Sequence, residues 1–277
     1  WRKAMSDLTP GIISIYGAPG TLKSSMALTW PKPLVMYDFE VGAHRAWKLK
    51  QSNGSWLYDG KPDQVIVRRY KFPERSIPSR QDKLSGWIAT WKEFTKDFYK
   101  DLQDPNIKSI VWDTATMEWG MCCDCFLEEL QGSKPDKKSL GVFEYREPNS
   151  RQTTLLASPT IYGKFLVMVS HETDEYVPIT FGGKPLLDDN GQPRTTTSGV
   201  KLPDGFKYTK SKADWQFKAS TRLDKITDDK GKDTDKSTTV PSVRIEKSGL
   251  GIDLVGLDID WFEYSKLTQM LSQLGRL

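Results

Sequence analysis

Short apolar runs separated by longer mixed segments set the rhythm of this chain. Residues 11–16 (GIISIY), 34–37 (LVMY), 65–70 (VIVRRY), 107–112 (IKSIVW) and 165–169 (FLVMV) are β-rich and read as strands buried on both faces. Between them the period changes. Residues 23–30 turn helical until Pro31 and Pro33 stop them, Trp87, Trp91, Phe94, Phe98 and Leu102 recur at helical spacing, and helices follow at 115–131 and near 147–158. Strands alternating with helices predict a doubly wound, mostly parallel α/β sheet. Two later strands, 213–221 and 240–247, flank the charged turn 228–236 as a late β-hairpin, and a helix over 261–274 lies in the C-terminal segment 261–277. The polar stretches 48–64 and 172–212 read as insertions into a single domain spanning 1–277, with its core at about 11–260.

Composition narrows this picture. At 277 residues, with 37% hydrophobic residues and ten tryptophans, the chain can bury a sizeable core. A formal charge of +4 permits nucleic-acid binding without demanding it. The three cysteines, Cys122, Cys123 and Cys125, share one predicted helix, so they cannot staple distant segments; they read as packing, in a reducing interior. No run of about 18 apolar residues occurs, and the expectation is neither membrane nor export but the cytoplasm.

Candidate chemistry begins directly after the first strand. The phosphate-loop pattern G-x-x-x-x-G-K-[ST] is matched by Gly17, Ala18, Pro19, Gly20, Thr21, Leu22, Lys23 and Ser24, except that Leu22 stands where the last glycine belongs; Ser25 follows in the helix. In such a loop the backbone amides meet phosphate oxygens, Lys23 neutralises the β and γ phosphates, and Ser24 ligates Mg²⁺. A leucine at positive φ costs about 1–2 kcal/mol, so either the loop bends differently or the strain is tolerated. Asp113 ends the fourth strand, where a carboxylate holds Mg²⁺ through water or caps the next helix. Asp38 and Glu40 lie just past the second strand, and one of them can polarise a water.

Four segments together carry a family resemblance: 16–24 (YGAPGTLKS), 37–40 (YDFE), 110–114 (IVWDT) and 169–171 (VSH). In this order the chain resembles the RecA superfamily of P-loop ATPases, and most of all the minimal RecA-core ATPases of phages that act in single-strand annealing and recombination. The resemblance covers most of residues 11–250. It implies a three-layer RecA-like core, ATP and Mg²⁺ as cofactors, Glu40 as general base and His171 as the polar sensor of the γ-phosphate. It also implies that Arg244 and Lys247 reach a neighbouring subunit's nucleotide, although a solvated strand end explains them equally. The 172–212 stretch takes the place of the family's DNA-binding loop. There Lys184, Arg194, Lys201, Lys207 and Lys210 would track phosphates while Phe206 and its aromatic neighbours stack on bases, unless the segment is an ordinary surface hairpin. The implied function is a Mg²⁺-dependent ATPase that assembles on single-stranded DNA, in the host cytoplasm if phage-encoded. A hexameric ring motor or helicase loader, and a nucleotide-gated binding module with weak hydrolysis, are the alternatives.

Overall fold

A computed structural model describes residues 8–50, 54–73, 84–181, 184–188, 193–227 and 233–277. In chain order its elements are β1 (Ile12–Gly17), α1 (Lys23–Ala27), β2 (Leu34–Asp38), α2 (Ala43–Ala46), β3 (Lys48–Lys50), β4 (Trp56–Asp59), β5 (Val65–Arg68), α3 (Trp87–Gln103), β6 (Ser109–Asp113), α4 (Ala115–Gln131), α5 (Arg146–Ile161) and β7 (Phe165–Ser170). There follow β8 (Glu172–Pro178), β9 (Thr180–Phe181), β10 (Lys184–Pro185), β11 (Thr195–Pro203), α6 (Thr209–Lys212), β12 (Trp215–Thr227), β13 (Asp233–Lys247), β14 (Asp258–Asp260) and α7 (Tyr264–Gln273).

Eight strands form one sheet in the order β14-β13-β12-β1-β7-β6-β2-β5. From β12 to β5 every neighbour is parallel, whereas β13 and β14 pair antiparallel. The apolar runs are continuous because alternate residues serve different cores. Ile13, Ile15, Leu34, Met36, Val111, Val167 and Val169 face one core with Met26 of α1 and Leu267 and Leu271 of α7. Ile12, Val35, Tyr37, Ile110, Trp112, Leu166 and Met168 face the other, against α3, α4 and α5. The result is three layers, helices over both faces of a mostly parallel sheet. The aromatic stripe of α3 packs as its spacing predicts, with Phe94 and Phe98 fully buried against Tyr37 and Trp112.

Several boundaries differ from expectation. Helix α1 ends at Ala27 and tightens through Thr29 N–H to Met26 O and Trp30 N–H to Ala27 O, because a residue before proline is steered away from helical ψ. The 48–64 excursion contains the small antiparallel pair β3–β4. The 172–212 segment is an antiparallel β8–β11 ribbon with β9–β10 near its tip, and β14 adds an edge strand the pattern does not reveal. Helix α7 starts only at Tyr264, after Trp261 takes a left-handed φ of 48°. Part of the charged turn, residues 228–232, lies outside the described residues. Among the described residues no helix is long and apolar enough to cross a membrane.

Candidate functional site

The register sets the geometry of the site. Asp38 pairs with Asp113, Asp113 with Val169, and Tyr16 with Ser170, so the carboxyl ends of β1, β2, β6 and β7 meet along one edge of the sheet. Ligands of open α/β sheets bind at this edge. Gly17 ends β1 where a Cβ would lie 2.2 Å from the Ala219 carbonyl oxygen, so only glycine permits this approach to β12. Beyond it the chain loops through Gly20, at a φ of 82°, to Leu22 at φ 61° and ψ 22°. The strain expected at Leu22 is therefore present and tolerated. Its side chain packs against the first core and shares the lining of a small cavity with Met26, Leu49, Trp261 and Phe262, and this burial offsets the left-handed backbone. The Thr21 hydroxyl donates to Ala18 O at 2.9 Å, and Lys23 Nζ donates to Gly17 O and Ala18 O at 2.8 Å each.

Around this loop stand the strand-end side chains. Asp113 is buried with the Ser24 hydroxyl near enough to act on it; burial, then the nearby Glu40 and Asp38 carboxylates, push it up to about 6 against the pull of Ser24 and Lys23. Burial likewise lowers the Lys23 pKa, while Asp113, Glu172 and Glu40 oppose the shift. Glu40 Oε1 meets His171 Nε2 at 2.6 Å and accepts from the Thr114 hydroxyl at 2.9 Å. Of the two carboxylates past β2, Asp38 already accepts from Gly42 N–H at 2.8 Å, Ala43 N–H at 3.1 Å and Arg69 Nε at 3.0 Å. It positions α2 and holds no oxygen in reserve for a water, whereas Glu40 faces open space.

That space is a cleft of about 260 Å³. Pro19, Gly20, Thr21, Leu22, Lys23, Ser24, Ser25, Glu40, Asp113 and His171 all line it, joined by Gly42, Arg45, Ala46, Thr114 and Val169. Arg45 was not expected from the sequence, because it sits on a four-residue helix without periodicity. Ser24 and Asp113 offer a hydroxyl and a carboxylate side by side, hard oxygen donors suited to Mg²⁺, and the buried carboxylate gains from a cation beside it.

The remaining candidates lie elsewhere. Arg244 is exposed on β13 and does not line the cleft. Lys247 spends its ammonium inside the chain, on the carbonyls of Lys210, Ser211 and Ala213. On the ribbon, Lys184 and Arg194 are exposed near the tip, beside Phe181 at 80% exposure, and Lys201 pairs with Asp174 at 2.8 Å. Phe206 is a correction: only 3% exposed and packed on Trp119 at 5.1 Å, it belongs to the core and cannot stack on a base. Lys207 and Lys210 are exposed, the Lys207 ammonium 4.8 Å from the Tyr208 ring centre. Cys122 and Cys125 are buried in the second core and carry free thiols, Cys125 pushed up to about 12 chiefly by burial. His44 is exposed on α2.

Compared with known proteins, the chain matches no family model and no curated protein. The chemistry of the cleft therefore stands on its geometry: a glycine-containing turn, a buried ammonium, a hydroxyl beside a carboxylate, and a second carboxylate held by a histidine and a threonine.

Proposed function

We propose that this chain is a Mg²⁺-dependent ATP hydrolase of RecA type that binds single-stranded DNA, promotes annealing or recombination, and assembles as an oligomer with nucleotide between subunits. The observation that supports this reading is the convergence of Lys23, Ser24, Asp113, Glu40 and His171 on one cleft from four separate strand ends. In it, residues 17–25 cradle the triphosphate, Lys23 leaves its carbonyl partners for the β and γ phosphates, and Ser24 with Asp113 holds Mg²⁺. Glu40 polarises the attacking water. His171 Nε2 and the Thr114 hydroxyl both engage Glu40 Oε1, leaving Oε2 to accept a proton from that water. The ribbon 172–203, springing from His171, presents Lys184 and Arg194 to the nucleic-acid backbone.

Phosphate release from ATP, measured with and without a single-stranded oligonucleotide, tests this. DNA raises turnover, Lys23→Ala abolishes it, and Glu40→Ala abolishes it while nucleotide binding persists. Turnover that ignores DNA removes the nucleic-acid reading and leaves the nucleotide site standing. A second reading, a nucleotide-gated binding module with weak hydrolysis, is favoured by the engagement of Glu40 Oε1 with two partners. ATP binding with background turnover selects it.

A further inference from the structure

The charges that face the cleft do not balance around a polyphosphate. Glu40 and Asp113 contribute carboxylates to its lining, and Glu172 stands near enough to act on Lys23. Lys23 is the one cation the sequence motif supplies, and Asp38 is already paired with Arg69. Even with the Mg²⁺ proposed above, an anion entering a space lined by these carboxylates gains from positive charge beyond one buried ammonium.

Arg45 is placed to supply it. It lines the cleft, is exposed, and among the described residues makes no ion pair. Its helix α2 is fixed at both ends: Asp38 accepts from the amides of Gly42 and Ala43, and the Ser25 hydroxyl donates to Ala46 O at 3.0 Å, tying α2 to the helix that begins at Lys23. The Arg45 head folds back over Gly42, where a Cβ would lie 2.6 Å from Nη2.

We infer that Arg45 is a second polyphosphate-binding cation, donating from α2 to phosphate oxygens of the nucleotide held by residues 17–25; this rests on the proposed nucleotide site. A guanidinium fork suits the task, since its N–H groups match two phosphate oxygens at once. The charge comes from the same subunit, so nucleotide capture does not wait for assembly.

Fluorescence titration of the intact chain with N-methylanthraniloyl-ATP and Mg²⁺ decides the matter. Arg45→Ala weakens binding about tenfold, Arg45→Lys about threefold, and Gly42→Val, which keeps the arginine but pushes its head aside, about threefold; the Arg45→Ala deficit shrinks as salt is raised. If Arg45→Ala and Gly42→Val both bind like the parent while Lys23→Ala loses binding, the role of Arg45 is overturned and the nucleotide site stands. If the parent itself fails to bind, both fall together.

Discussion

The cleft and the ribbon leave the same strand one residue apart, yet they are built in opposite ways. His171, just past β7, turns its ring into the cleft; Glu172 begins β8. Cleft side chains come from four strand ends fixed by parallel register and by two cores, so each is positioned many times over. The ribbon is laddered within itself, β8 with β11 and β9 with β10, and most of its outer half is exposed. Side-chain changes in the cleft should therefore alter chemistry and leave the fold, while changes along the ribbon should alter charge and little else.

The sharpest test of that contrast is Glu40→Gln. It should lower ATP turnover by about 10²–10⁴-fold with nucleotide affinity nearly unchanged, as measured by phosphate release beside a binding titration. Phe206→Ala probes where the ribbon becomes core: denaturant unfolding should show a loss of about 3–5 kcal/mol, although the residue lies in a stretch that reads as a DNA loop. Charge reversal at Lys184 and Arg194 together should weaken single-stranded DNA binding about tenfold at low salt and flatten its salt dependence, with the unfolding free energy within about 0.5 kcal/mol of the parent.

A pH experiment sharpens the core side further. Glu118, fully buried on α4 and accepting from Gln152 Nε2 at 2.6 Å, is pushed up to about 8 by burial. Below its ordinary 4.5 both folded and unfolded chains hold the proton. As pH rises toward 8 only the unfolded chain releases it, so stability contributed by the neutral group falls through this window and levels off above it. Melting curves between pH 5 and 8 should show a decline that Glu118→Gln flattens. The smallest effect belongs to Leu22→Gly: relief of the left-handed backbone and loss of its apolar contacts oppose each other, and the melt should shift by no more than about 1 kcal/mol.

How much of this was legible beforehand follows from the range of each interaction. Strand ends in a parallel sheet share one edge, so placing Glu40, Asp113 and His171 beside the 17–24 loop needed only element order. At Leu22 the loop pattern raised the question of an unusual φ, and the left-handed backbone at 61° answers it. Phe206 was not legible, because it sits in the loop between β11 and α6, its partner Trp119 lies on α4, and nothing local marks it as inward. The fate of Lys247 depends on how β13 runs beside residues 210–213, and the filling of Asp38 depends on Arg69 arriving from beyond β5. Arg45 needed the α1–α2 link through Ser25 to become visible.

The contact between Gly17 and Ala219 has a consequence for how the molecule is made. The opening strand lies between β7 and β12, and the latter is translated some two hundred residues later. At ordinary ribosomal speed that delay is about 10–40 s. Until then the nascent loop lacks the wall on which its first glycine rests, so a loop translated well before β12 waits on that later strand for its working shape.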